Sequence, residues 1–314
     1  EVQGFINIVL KKERKGGYYG SVQAGADTRK GANTSFNINY NSSKIDAFAN
    51  IGYRHRHSNG GAISRQTYTT DNRYQDYDTR SDNQGNNLFT RYGLTWHMTD
   101  KDDLSYNGMT MFGGRHDESH TPYHYGIIGS GHDTQTMYRT SRSGDRARMF
   151  NAELNYRHQF SESHFLDIIG SYNQWKSNQR NVYQDSTLLW TDSDDATNDE
   201  HWLEPVYNYQ SRPQHINNRT WEVKVDYENA LTKQLKLQAG YNGRFSKEDT
   251  PQESFLDNRS YDGITASEDR DYYNRFVYKM AVHALYTTLN ANIGKFGIMG
   301  GLRGEYWRVD TKSY

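Results

Sequence analysis

Four histidines lie close together in this chain: His116, His120, His124 and His132. Imidazole nitrogens bind zinc, copper or nickel, and a four-residue spacing would align the first three on one helical face. Pro122 interrupts any such helix. With 12 His in a polar chain and no Cys, some clustering is expected without a metal. The acidic run Asp192-Ser193-Asp194-Asp195, followed by Asp199 and Glu200, offers oxygen ligands of the kind calcium takes. It lacks the glycine and terminal glutamate of an EF-hand loop and reads as a solvated loop. Ile128-Gly129-Ser130-Gly131-His132-Asp133 superficially resembles a nucleophile elbow, but Ile128 and His132 stand where the outer glycines belong. No P-loop is present, and Gly129 and Gly131 complete no dinucleotide fingerprint. The expectation is no catalytic residue, no metal site, no cofactor and no enzyme.

The aromatic residues carry a better hint. Tyr123, His124, Tyr125, Trp190, Trp202, Tyr207 and Tyr209 fall in long polar segments. Rings in such places stack on sugars, on siderophore rings or on peptide, and equally serve as interfacial anchors or internal packing. They are the candidate ligand-binding residues. What positions them has to come from the elements between those segments.

Composition constrains those elements. Of 314 residues only 34% are hydrophobic, and mean hydropathy is -1.05. That would suit a disordered chain, but net charge is only -1 and aromatics reach 14%, with 26 Tyr. A wall with one face on lipid and the other on a wet lumen, with Tyr and Trp at the interfaces, reconciles low hydropathy with many rings. Positive and negative charges nearly balance, so nothing points to nucleic acid. No signal peptide is visible at Glu1–Leu10, and no apolar run approaches the ~20 residues of a spanning helix.

Period-2 alternation recurs along the chain. Phe36, Ile38 and Tyr40 share a face, as do Ile45, Ala47, Ala49, Ile51 and Tyr53. So do Leu88, Thr90, Tyr92, Leu94 and Trp96, and then Leu104, Tyr106, Gly108, Thr110 and Phe112, where Met109 and Met111 blur the register. The clearest hairpin sets Trp221, Val223, Val225 and Tyr227 against Glu222, Lys224 and Asp226, and continues in Leu235 to Phe245. A phase slip is expected near His283. Lumen-facing Arg54, Arg91, Arg157, Lys224 and Arg244 would form charged ladders with Glu153, Glu222 and Asp226. Short turns at Asn41, Thr99, Ser161, Asn229 and Asn292 alternate with four long polar segments, read as loops: His55 to Asn86, Gly113 to Arg146, Asn178 to Asn218 and Ser246 to Arg275. Outer-membrane barrels place short turns on the periplasmic side and long loops outside. The reading is an all-β, transmembrane, antiparallel up-and-down β-barrel with about eleven strands.

The opening stretch Gly4-Phe5-Ile6-Asn7-Ile8-Val9-Leu10-Lys11-Lys12 resembles the last strand of the plug domain of TonB-dependent outer-membrane receptors, with Gly4-Phe5 departing from the more usual small or aliphatic pair. With the hairpins that follow, the chain is similar to the front half of such a receptor of the type common in Bacteroidetes. The resemblance implies residues 1–15 as the end of a plug and 16–314 as the N-terminal half of a larger barrel, of about 22 strands. It implies a cell outer membrane location, a scarce nutrient as ligand, energy coupling through the TonB complex via a region preceding this one, and a surface-exposed lipoprotein as a further partner. The alternative is a passive porin or a structural barrel that binds partners through its loops. By strand parity the last strand is expected to leave an open edge, so that the chain is incomplete as a barrel.

Overall fold

The computed structural model describes residues 16–191, 203–257, 267–268, 273–294 and 296–314. The Gly4–Lys12 stretch, the acidic run from Asp192 to Glu200 and Trp202 lie outside the described residues. The long strands are β1 (Gly17–Ala26), β2 (Ala32–Asn41), β3 (Ile45–Tyr68), β4 (Arg73–His97), β5 (Asp102–Ile127), β6 (Asp133–Ser161), β7 (His164–Leu189), β8 (Val206–Ala230) and β9 (Leu235–Gln252). Two short strands follow, β10 (Phe255–Asp257) and β11 (Ser267–Glu268), and then β12 (Asn274–Ile293) and β13 (Phe296–Ser313). The long strands pair antiparallel in chain order, β1 to β9 and then β12 and β13; β10 adds to the outer part of β8 and pairs with β11. Among the described residues no helix is long and apolar enough to cross a membrane.

Register follows from the alternation. Ile51 faces Phe36 and Thr90, Leu94 faces Ala47 and Tyr106, and Leu154 faces Tyr106 and Gly170. Val225 faces Ile168 and Tyr241, and Tyr241 faces Leu285. One apolar face therefore runs unbroken from β2 to β13. A one-residue slip anywhere would turn a whole strand's apolar set into the lumen, which is why the register is specified so tightly here. Rings border this face: Phe112, Phe150, Trp221 and Phe245 on one side, Tyr40, Trp96, Tyr156 and Tyr227 on the other. Tyr172 packs against Trp221 at 4.3 Å between ring centroids. From Leu88 to Trp96 the band spans about 26 Å along the strand at ~3.3 Å per residue, near the height of a barrel's lipid-facing belt.

Two expectations need correcting. The first two long polar segments are paired strands rather than loops, and so are residues 178–189 and 206–218 of the third and 246–252 of the fourth. β3 to β8 run 24 to 29 residues each, well beyond the 9–11 needed to cross a bilayer. Their polar halves stay paired, so that Tyr68 faces Arg73 across a tight turn and Ile127 still faces Arg73 at the far end of the β4–β5 hairpin. Backbone groups that cannot fold into an apolar core still satisfy one another in a ladder. The chain thus projects as β-ribbons some 15 residues past the lipid belt, about 50 Å. The second correction is at His283: β12 pairs without a shift to both β9 and β13. His283 simply takes its turn on the apolar face, where its Nδ1 lies 2.8 Å from the Tyr241 hydroxyl and its ring meets Phe245 edge-on. Met109 and Met111 fall on the polar face, opposite Arg91 and Phe89.

The short turns carry their own chemistry. The Ser42 hydroxyl oxygen accepts from the Ile45 amide at 2.9 Å, the Thr232 hydroxyl oxygen from the Leu235 amide at 3.0 Å, and the Asp27 carboxylate from the Gly31 amide at 2.9 Å. Gly294 supplies a φ of 65° at the β12–β13 turn, a conformation glycine takes without steric cost.

Candidate ligand-binding face

The polar face is continuous from the short turns up the ribbons. Above the lipid belt it carries a row drawn from five adjacent strands. Tyr77 of β4 lies 5.4 Å from Tyr123 of β5, and Tyr125 stacks on Tyr123 at 6.2 Å. The Arg139 guanidinium of β6 sits over the Tyr123 ring at 5.9 Å and over the Tyr183 ring of β7 at 5.6 Å. Arg212 of β8 covers Tyr183 at 5.7 Å. Each step is close to the ~4.8 Å spacing of neighbouring strands, so pairing alone brings the row together. Asp185, 8% exposed at its side chain, holds Arg139 in two parallel hydrogen bonds of 2.7 and 2.9 Å. A fork held in this way keeps its plane fixed and its remaining N–H groups directed outward. Hydroxyls and amides surround the row: Thr79 bonds Thr121 at 2.9 Å, and Ser143 donates to Asn181 at 2.7 Å.

Nearer the short turns, the same face is charged. Arg157 meets Asp167 at 3.1 Å and covers Phe165 at 4.5 Å. Lys224 meets Asp226 at 2.6 Å, and Lys236 meets Glu228 at 2.5 Å. Tyr286 donates to Asp226, and Asn242 donates to Glu222 at 2.7 Å. Arg157, Asp167, Lys224, Asp226, Tyr286 and Arg303 border a cleft of about 480 Å³. The expected lumenal positions of Arg91, Arg157, Lys224, Arg244, Glu153, Glu222 and Asp226 follow from the register. Arg91 and Glu153 line a further recess of about 280 Å³.

A third arrangement sits at the ribbon tips on the opposite face. A bulge in β6 after Asp133 brings that carboxylate onto the face of Tyr74 and His124. Tyr74 donates to Asp133 at 2.5 Å, and His124 Nδ1 lies 2.6 Å from it. The Tyr74 ring occupies the space a side chain on Gly126 would need. Burial, then the Asp133 hydrogen bond, pushes the Tyr74 hydroxyl up to about 12. Burial opposes charge on Asp133 too, but the hydrogen bonds from Tyr74 and His124 outweigh it and hold the carboxyl below its usual range. Arg65, Asp76, Asp78 and Pro122 complete a cleft of about 740 Å³.

The expected ligand residues do not converge. Tyr123 and Tyr125 belong to the lumenal row, whereas His124 points the other way, into the tip cleft. Trp190, just past β7, stacks on His132 at 4.3 Å. Tyr207 and Tyr209 pair with Ser186 and Gln184, which places them on the face away from the row. His116, His120 and His124 lie on a strand, where four residues span about 13 Å, rather than on a helix. Among the described residues no three potential metal ligands group together. The Ser130 hydroxyl lies 2.8 and 2.7 Å from the Ile127 and His132 carbonyl oxygens, with its one proton to share between them, and closes a turn. Tyr77, Arg139, Tyr183, Asp185 and Arg212 were missed. Extending the parity of each strand past its last apolar residue would have placed all five on the face of Tyr123.

A sheet of antiparallel up-and-down strands, lipid-facing on one side, polar on the other and banded by rings, is the wall of an outer-membrane β-barrel. Residues 158–314, half of the chain, match the Outer membrane protein beta-barrel family, and the chain belongs to that family. It is an outer-membrane protein. No curated protein sequence matches it. Among solved structures, the alcaligin outer membrane receptor FauA from Bordetella pertussis aligns at 9% identity over 97% of this chain and 76% of its own, with a TM-score of 0.14.

Proposed function

We propose that this chain forms part of the barrel of a TonB-dependent receptor, of the Bacteroidetes type, that binds a scarce nutrient outside the cell and imports it. The observation that supports this is the row Tyr77–Tyr123–Arg139–Tyr183–Arg212 on the lumenal face above the lipid belt. A diffusion pore conducts best when its wall binds weakly enough to release. Rings interleaved with guanidinium groups and braced by Asp185 retain what they meet, and retention needs an energy source for release inward. The ligand is a siderophore, a glycan or a similar molecule with stacking surfaces and hydrogen-bonding groups. Energy would come through the TonB complex acting on a plug, and a surface-exposed lipoprotein is a fitting partner for ribbons this long. The reading needs binding and passage, and no catalysis or cofactor.

The test is uptake by cells expressing the full-length protein, on defined iron and carbon sources, with and without a membrane potential. Import that stops on de-energisation and weakens in Tyr123→Ala and Arg139→Gln supports the reading. Uptake unaffected by de-energisation favours the passive porin.

A further inference from the structure

Immediately beyond the apolar belt on the ribbon side, the lipid-facing parity of β6 to β12 turns basic. Arg148 follows Phe150, Arg219 follows Trp221, Lys247 follows Phe245, and Lys279 stands two residues from Ala281. Across the ladder, Arg148 faces Lys176, Arg219 faces Lys247, and Lys247 faces Lys279. Arg146 lies one step further out on the same face as Arg148. All six side chains are exposed. Arg219 hydrogen-bonds Asn217 at 3.3 Å, and none of the six forms an ion pair with a carboxylate among the described residues. The neighbouring cations differ: Arg142 is held by Glu118 at 3.0 Å and Arg275 by Asp249 at 2.9 Å.

Like charges directly opposite one another destabilise a sheet, and three such pairs in one row do so together. At this height and facing this way, the groups they can meet are lipid headgroups. Their apolar stems lie along the aromatic rim and their charges reach the interface. We propose that this row is a binding surface for lipopolysaccharide, whose phosphates would sit between the facing cations. The long ribbons put the row at the outer leaflet. Several phosphates carried on one wide headgroup match cations spread over five adjacent strands, about 19 Å, better than the single phosphate of a phospholipid does. The proposal is independent of what the lumen transports.

The test uses the full-length protein purified in detergent and titrated with phosphorylated rough lipopolysaccharide, with the same lipid dephosphorylated, and with phosphatidylglycerol. Binding is read by native mass spectrometry and by the shift in heat-induced unfolding. Phosphorylated lipopolysaccharide should bind at least about tenfold more tightly than either competitor. The combined variant R148Q/K176Q/R219Q/K247Q/K279Q should lose that preference. The charge-conserving R148K/K176R/R219K/K247R/K279R should keep it, which separates loss of charge from loss of fold. Equal binding of the dephosphorylated lipid, equal binding of phosphatidylglycerol, or an unchanged preference in a folded glutamine variant would each overturn the proposal.

Discussion

Replacing Val223 by arginine tests the facing of the sheet where the wall leaves a charge least shelter. Val223 is on the apolar face of β8, 43% exposed, directly opposite Gly170 of β7 and Gly243 of β9. Neither neighbour has a side chain to pair with a guanidinium. The aromatic limits of the belt on this strand are Trp221 and Tyr227, so the site is inside it, nearer the Trp221 rim. An arginine on the lipid face costs roughly 2–4 kcal/mol at midplane and 0–1 near the interface. Val223 is two residues from Trp221, about 7 Å along the strand, and a long side chain recovers part of that distance by reaching outward. The working figure is therefore about 2 kcal/mol, close to thirtyfold in the folding equilibrium. Ser171→Arg supplies the control: Ser171 is one residue from Gly170, on the polar face, directly opposite Glu222. That variant should stay within about 0.5 kcal/mol of the parent. The assay is urea-dependent folding of the full-length protein into lipid vesicles, followed by tryptophan fluorescence and heat-modifiable migration. Spin labels from Trp221 to Glu228 should alternate between lipid and water accessibility. Equal costs at Val223 and Ser171, or a uniform accessibility profile, would refute the facing and the membrane reading with it.

Sidedness comes next: a tag inserted at Ser130, in the β5–β6 turn, should be reached by antibody on intact cells, and one at Asp100, in the β4–β5 turn, should not; the reverse pattern inverts the orientation. Asp185→Ala leaves Arg139 without its carboxylate at a site where the acid is 8% exposed, and should destabilise the folded protein by about 2 kcal/mol, read from the urea midpoint; a change under about 0.5 kcal/mol would mean the pair does not brace the row. The raised Tyr74 hydroxyl favours the neutral form in the folded state, so its contribution is complete below the ordinary tyrosine range near 10 and fades as pH rises through about 12. The fluorescence of Trp190, stacked on His132 beside that site, should change over this interval and stay flat in Tyr74→Phe; an identical transition in the variant would remove Tyr74 as its source.

The lipid belt was legible because its two faces differ in kind. Ile45, Ala47, Ala49 and Ile51 against Asp46 and Asn50 leave one consistent phase, and the observed register keeps it. The ribbons were not legible, because alternation becomes invisible when both faces are polar. Ser58, Asn59 and Gly60 face Asn83, Asp82 and Ser81 in regular pairs, yet no hydropathy contrast marks them as a strand. Histidine spacing alone could not separate the two cases: four residues place His120 and His124 on one face of a helix and of a strand alike, and only the strand separates them by ~13 Å. The candidate ligand residues were chosen by type, and Tyr123 and Tyr125 survive only because their parity happens to match Arg139 and Tyr183.

The same parity explains how so hydrophilic a chain, at a mean hydropathy of -1.05, builds so large a sheet. A soluble sheet needs a packed core to hold polar strands in register. Here the register is set once, in the lipid belt, where a slip would turn Leu94 or Val225 into water and a charge into lipid. Each ribbon inherits that phase from the belt below it and propagates it residue by residue, since every added pair satisfies two more backbone groups. Side chains above the belt are then free of any demand to be apolar. Tyr, Arg, Asn and Ser can occupy the lumenal parity at heights fixed by residue count alone. Tyr77, Tyr123, Arg139, Tyr183 and Arg212 come from five strands and still form one row, because the membrane has already decided which way each of them points.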